Sequence, residues 1–222
     1  ILFNSLSDAR TAALLSVIEN ADSDIFGCNE VVPYWTEKLT EKFSSVYDTV
    51  DGNSENALSD GARNSVFWKK DRFDLIESGT LWLSDTPQSV SKYPNSKQYR
   101  TCTYVKLREK ASGIEFVFIS THLENTGTTE DSVAVATREK QSRALKKIAD
   151  SFAFVPVIIG GDFNSGSVAK GITPLVTDSR YTDAYEIAAD KTGKATYPGK
   201  GWRLDYIFVT KDSIAVTVSY TH

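Results

Sequence analysis

Asp162 and Asn164 are the residues whose types and spacing most suggest chemistry. They follow Val157-Ile158-Ile159-Gly160-Gly161 with one residue between them. Side chains at i and i+2 of an extended chain project to the same side. The pair therefore offers a charged oxygen and an amide to one ligand at the carboxyl edge of a sheet, where open α/β sheets bind ligands. The plainer reading is an Asx-turn in which the two side chains only close the loop, and on this stretch alone the two readings weigh equally. Elsewhere, Glu30 closes the strand-like Asp24–Asn29, and His122 follows the apolar Ile114–Ser120. Asp205 interrupts an apolar alternation, where a buried carboxylate needs a partner. Only His122 and His222 carry imidazole, and Cys28 and Cys102 have no C-x-x-C spacing. A histidine- or thiolate-rich metal centre is thereby excluded, and any metal is a hard ion held by oxygens: Mg²⁺, Mn²⁺ or Ca²⁺.

The elements that must position these residues follow from the pattern. The apolar, β-branched run ending at Ile159 reads as a central strand buried on both faces, stopped by two glycines. Ile1-Leu2-Phe3-Asn4 reads as the tail of a strand, followed by a helix capped by Ser7 or Asp8 with Ala12, Leu15, Val17 and Ile18 on its buried face. With the strand ending at Glu30 this makes a βαβ unit. A helix over Tyr34–Phe43 enters at Pro33, and a strand follows over Ser45–Val50. Asn64–Lys69 and Phe73–Leu83, joined by Lys70-Asp71-Arg72, are expected to form an antiparallel hairpin. A second hairpin joins Tyr99–Leu107 to Ile114–Ser120. The long helix Asp131–Phe152 buries Ala144, Leu145 and Ile148, and a helix over Val168–Val176 is broken by Pro174. Asp183 is an N-cap candidate, Trp68 and Trp82 read as packing residues, and both cysteines read as core thiols. The loops Asp51–Gly61 and Ser84–Gln98 are polar excursions suited to a site rim.

The chain has 222 residues, 41% hydrophobic and 24% charged, as an ordinary soluble globular protein has. The length suits one α/β domain over residues 1–222. No segment is long and apolar enough for a membrane span, and no signal segment opens the chain. It starts at Ile1 without an initiator Met, so either a leader has been removed, as export would have it, or the chain has been trimmed, and the compartment stays open. The net charge of −4 argues against non-specific binding of nucleic acid. A monomer is expected.

Gly160-Gly161-Asp162-Phe163-Asn164 resembles the G-D-F-N signature of the endonuclease/exonuclease/phosphatase (deoxyribonuclease I-like) superfamily. Four more pieces resemble it in order. They are Asn4 closing the first strand, Asp24–Glu30 with Asn29 where Gln is usual, Thr121-His122-Leu123-Glu124-Asn125, and Gly201-Trp202-Arg203-Leu204-Asp205-Tyr206-Ile207-Phe208, which is similar to apurinic/apyrimidinic endonucleases. The family's closing S-D-H does not occur in the sequence, which runs to Ser219-Tyr220-Thr221-His222; the expectation is that a C-terminal S-D-H segment is missing.

The resemblance implies a four-layer α/β sandwich, two mixed β-sheets face to face with helices outside, and hydrolysis of phosphoesters with Mg²⁺ or Mn²⁺. Glu30 would hold the metal, with Asn4 and Asp205 as further metal positions. Asp162 would activate water, with His122, Asn164 and Asp205 completing the catalytic set. Asn4, His122 and Asn164 would contact substrate, and Arg100 is a further phosphate candidate whose plainer reading is an edge-strand arginine. Arg138 and Gln141 read as helix-to-loop anchors. The expected substrate is a small or lipid-derived phosphoester or a nucleotide end, in preference to duplex DNA. The competing reading is a catalytically degenerate metal- or ligand-binding relative.

Overall fold

A computed structural model describes residues 8–52, 63–125, 131–167, 169–177, 179–197 and 200–220. Asn4, Ser7 and His222, with most of the Asp51–Gly61 loop, lie outside the described residues, so neither the first strand nor the cap of the first helix is placed. The elements are α1 (Asp8–Ala21), β1 (Ile25–Val31), α2 (Pro33–Phe43), β2 (Tyr47–Val50), β3 (Arg63–Lys69), β4 (Phe73–Trp82), β5 (Thr101–Glu109) and β6 (Glu115–His122). They continue with α3 (Ser132–Asp150), β7 (Val157–Asp162), α4 (Thr173–Val176), β8 (Tyr181–Asp183), α5 (Ala184–Ile187), β9 (Asp190–Thr192), β10 (Asp205–Thr210) and β11 (Val218–Tyr220).

The larger sheet runs β4-β5-β6-β7-β10-β8 and is mixed, because β6 and β7 are parallel. The smaller runs β1-β3-β2 and, among the described residues, is antiparallel throughout. Alternation along β3 shows how the layers stack. Phe67 faces outward into a core with Leu14, Trp35, Leu39 and Phe43 of α1 and α2. Val66 and Trp68 face inward onto Val105 and Leu107 of β5. On the far side of the larger sheet, Leu145, Ile148 and Ala149 of α3 cover Val117, Ile119, Val157 and Ile159. Helices, sheet, sheet and helix make the expected four layers.

Several elements differ from the sequence reading. β3 and β4 do not form a hairpin: β3 is flanked on both edges by β1 and β2, while β4 pairs with β5 from Phe73↔Glu109 to Trp82↔Thr101. The Lys70-Asp71-Arg72 turn carries the chain from one sheet to the other. On α1 the buried positions are Thr11 and Leu14, with Leu15 and Ile18 half-buried, and Ala12 and Val17 face solvent. Pro174 opens the short α4 instead of breaking a longer helix, since a missing N–H costs nothing in a first turn. The Tyr99–Ser120 hairpin, the α3 span and the Asp183 cap, which accepts from Tyr185 N–H at 3.0 Å, are as expected. Trp68 is buried, and burial pushes both cysteine thiols up to about 12.

Candidate active site

Register brings the site residues together. β6 and β7 run parallel with His122 beside Asp162, and β10 runs antiparallel to β7 with Asp205 opposite Asp162. This close alignment needs Gly161, whose φ is +147° and where a Cβ would stand 1.9 Å from the Thr121 carbonyl oxygen. Glu30 arrives from the other sheet. It sits in an irregular stretch of β1 between Cys28 and Val31 and adopts φ +59°, a left-handed conformation that costs energy for any residue with a side chain. Its Oε1 lies 3.9 Å from His122 Nδ1, and Asp162 Oδ2 lies 3.7 Å from His122 Nε2. Glu30, His122, Asp162, Asn164 and Asp205 therefore share one end of the sandwich, with His122 between Glu30 and Asp162.

The Asx-turn reading of the Asp162–Asn164 pair is the one the geometry shows. Asp162 Oδ1 accepts the Asn164 N–H at 2.8 Å, which is an Asx-turn, and Asn164 takes φ +47°. Its side chain also serves the site: Nδ2 donates to the Leu123 carbonyl at 3.0 Å and stands 3.0 Å from His122 Nε2. A carbonyl can only accept, so the amide orientation is fixed. Its second hydrogen then points at Nε2, which must be the unprotonated ring nitrogen. The imidazole proton is on Nδ1, facing Glu30. Both Asn164 hydrogens are engaged within the protein, so donation to a ligand would need one of them released.

Burial dominates the electrostatics of the site. The Asp162 carboxyl is pushed up to about 7, first by burial, then by Asp205, with Glu30 adding to the rise and Arg100 opposing it. Asp205 is raised too, by lost hydration, with the Thr196 hydroxyl opposing. By area it is exposed, not buried as the sequence alternation suggested. His122, only 3% exposed, is held well below the ordinary imidazole value by burial and by the Arg100 charge, and is neutral. Arg100 precedes β5, an interior strand, so it is not an edge-strand residue; its charge acts directly on His122 and Asp162.

Two site-supporting residues escaped the sequence reading. Glu124 is fully buried; its Oε2 accepts from Ser96 Oγ at 2.5 Å and from Gln98 N–H at 3.2 Å, pinning the Ser84–Gln98 excursion beside the His122 loop. Gln141 accepts the Glu124 N–H at 2.8 Å and Arg138 donates to the Glu124 carbonyl at 3.2 Å, so both are the anchors expected. Asn29 bridges the two sheets. A buried glutamate next to a motif histidine is a signal that sequence offers; the Asn29 partners, scattered over three strands, are not.

Among the described residues, no three His, Cys, Asp or Glu side chains form a ready-made cation cage. The donor set is nonetheless oxygen-only, and burial holds the Asp162 and Asp205 carboxyls above their ordinary range, a cost to ionisation that a cation would offset. The residues fit a hard divalent ion that keeps several waters, as Mg²⁺ does.

Comparison with known proteins bears on the fold and the family. No curated protein sequence matches the chain. Among solved structures, an endonuclease/exonuclease/phosphatase from Bacteroides vulgatus superposes with a TM-score of 0.83 at 24% identity, over 95% of this chain and 82% of that one. The mannosyl-6-phosphatase of Bacteroides thetaiotaomicron gives 0.82 at 24% identity, over 95% and 79%. The human Nocturnin catalytic domain, solved with a bound sulfate anion, gives 0.73 at 20% identity, over 94% and 77%. At these identities the likeness speaks for the fold. The sequence profile described as the Endonuclease/Exonuclease/phosphatase family matches residues 1–222, the full length given, and the chain belongs to that family.

Proposed function

We propose that this chain is a divalent-metal-dependent phosphoester hydrolase whose reacting phosphoryl group lies among Glu30, His122, Asp162 and Asp205. The observation that carries the reading is the Asp162 carboxyl, raised to about 7 and held by the Asn164 N–H beside a neutral histidine. A carboxylate tuned to that range suits a general base at neutral pH. Ionised Asp162 takes a proton from the attacking water as the new P–O bond forms, and the leaving oxygen departs with the electron pair of the bond that breaks. Arg100 and the Nδ1–H of His122 supply positive charge and a donor for the non-bridging oxygens as their charge grows. Asn164 keeps Nε2 occupied and thereby fixes that tautomer. Glu30 would hold Mg²⁺ or Mn²⁺, with Asp205 and Asn4 as further positions, and the ion would polarise the phosphoryl group and neutralise the leaving oxygen.

The substrate we favour is a small or lipid-derived phosphoester or a nucleotide end. Long duplex binding is dominated by phosphate contacts to a basic surface, and this chain has a net charge of −4. A fold neighbour that is a mannosyl-6-phosphatase is in keeping with a small phosphomonoester.

The test is a panel of sugar phosphates, inositol phosphates, sphingomyelin, single-stranded oligonucleotide and plasmid, with Mg²⁺ at physiological salt. It is run on this chain and on a version that carries an S-D-H segment. Turnover of a small phosphoester supports the proposal, and plasmid nicking with all else untouched overturns the substrate. Metal and phosphate binding with no turnover in either version establishes the degenerate relative instead.

A further inference from the structure

The site is assembled from two sheets, and the interface between them is largely apolar. Val66, Trp68, Val105 and Leu107 fill it, with Phe118 packed against them. Apolar contact is non-directional, so it does not by itself fix how far Glu30, on β1, stands from His122 and Asp162 on β6 and β7. A short polar chain crosses the interface directly beneath the site. The Asp162 N–H donates to Asn29 Oδ1 at 3.3 Å, and Asn29 Nδ2 donates to Asn64 Oδ1 at 2.9 Å. Asn64 Nδ2 in turn donates to the Thr101 carbonyl at 3.0 Å. Asn29 Nδ2 also reaches Ser120 Oγ at 3.3 Å.

The two ends of this chain are backbone groups with fixed roles, a donor at Asp162 and an acceptor at Thr101. Both amide orientations follow, with no alternative flip that keeps all three bonds. The crossing also needs a close approach of the sheets, and Gly27 provides it. Gly27 and Asn29 share a face of β1, and a Cβ at position 27 would stand 3.0 Å from Ser120 Oγ and 3.3 Å from the Phe118 ring. Asn29 immediately precedes Glu30 and its left-handed backbone.

We infer that Asn29 is a positioning residue: it ties the Glu30 strand to the Asp162 backbone and so sets the spacing of the two halves of the site. The inference rests on the proposed function for its catalytic consequence, but its structural content is independent of turnover.

The experiment compares Asn29→Ala, Asn29→Gln and Asn64→Ala with the parent chain. Hydrogen exchange of the Asp162 amide and the ring ¹⁵N shifts of His122 are read first, in protein without added metal. With Asn29→Ala the Asp162 amide should exchange about threefold faster or more, because it loses its side-chain acceptor while keeping its place in the β6–β7 ladder. The His122 signals should move, while the amides of Val117 and Ile159 stay protected. Asn64→Ala should leave the Asp162 amide closer to the parent, because that bond survives. Asn29→Gln should recover part of the protection. In turnover, Asn29→Ala should lower kcat by about 10- to 100-fold with KM changed far less, as misplacement of reacting groups does. Should Asn29→Ala fail to fold, Asn29→Asp keeps the acceptor for Asp162 and loses the donor to Asn64; it should retain the slow Asp162 exchange.

An Asp162 amide and His122 ring indifferent to Asn29→Ala would overturn the inference. So would a loss confined to KM, or an Asp162 amide in Asn29→Asp that exchanges as fast as in Asn29→Ala. If the amide and ring respond as expected while the parent chain turns over no phosphoester, the hydrolase reading fails and the positioning role stands.

Discussion

The two ends of the sandwich use the same residue types to opposite effect. At the end away from the site, Arg72 bridges Asp24 and Glu109, and Lys69 Nζ lies 2.9 Å from Asp22 and 3.2 Å from Asp24. The Glu109 carboxyl is pulled below its ordinary range by the Ser112 hydroxyl and by Arg72. At the site end, Asp162 faces Asp205 across the strand pair, and both carboxyls are pushed up. The imidazole between Glu30 and Asp162 is neutral and neutralises neither. Folding alone settles the charges at the first end, whereas at the second the carboxyls stay raised, and the proposed function has a cation and a phosphoryl group complete them.

The largest expected effect follows from removing that cation. Chelation should reduce phosphoester hydrolysis to background, and added Mg²⁺ should restore it; full activity in chelator would end the metal role. Next comes Asp162→Asn, which keeps the shape of the turn and removes the base. Turnover should fall at least about a hundredfold while circular dichroism stays unchanged.

A smaller effect separates the two ends by pH. In metal-free protein, the stability that Asp162 gains by holding its proton is fully present below its unfolded value of 3.8 and is lost as pH rises through about 7. Asp162→Asn escapes that loss, so it should melt with the parent near pH 4 and several degrees above it at pH 8. Glu109 has the opposite sign. Its lowered value contributes stability above the ordinary carboxylate range, lost as pH falls. Arg72→Ala should therefore lower the melting temperature slightly at neutral pH, by no more than about 3 °C given the exposure of the pair, less so in high salt. It should leave kcat within about twofold. A melting profile with the same sign at both ends would erase the comparison.

Much of the site end was legible in sequence because its elements are set locally. The continuous apolar run into Gly160-Gly161 marks β7 as a buried strand, and the residue after it falls at the sheet edge. Gly161 also shows its necessity in the Thr121 contact. What failed depended on partners far away in the chain. Lys70-Asp71-Arg72 has hairpin chemistry, but no local pattern says that β4 will pair with β5 in the other sheet. Ala12 and Val17 sit at plausible helical spacing, yet Leu14 enters the core with β1, β3 and α2, and Thr11 meets the Tyr34 hydroxyl of α2. Asp205 follows an apolar alternation and is nonetheless exposed, since the end of β10 is where the site opens. Asn29 looks like a departure from a motif until Asn64, Ser120 and Asp162 are seen around it.

The most direct test of the contrast between the ends is a calorimetric titration of Mn²⁺ at pH 6, repeated in buffers of different ionisation enthalpy. Asp162, still largely protonated there, should give up its proton as the cation binds, so the parent chain should release close to one proton per ion. Asp162→Asn should release clearly less, the remainder coming from the raised Asp205. Absence of binding, or equal proton release by the two proteins, would contradict the account.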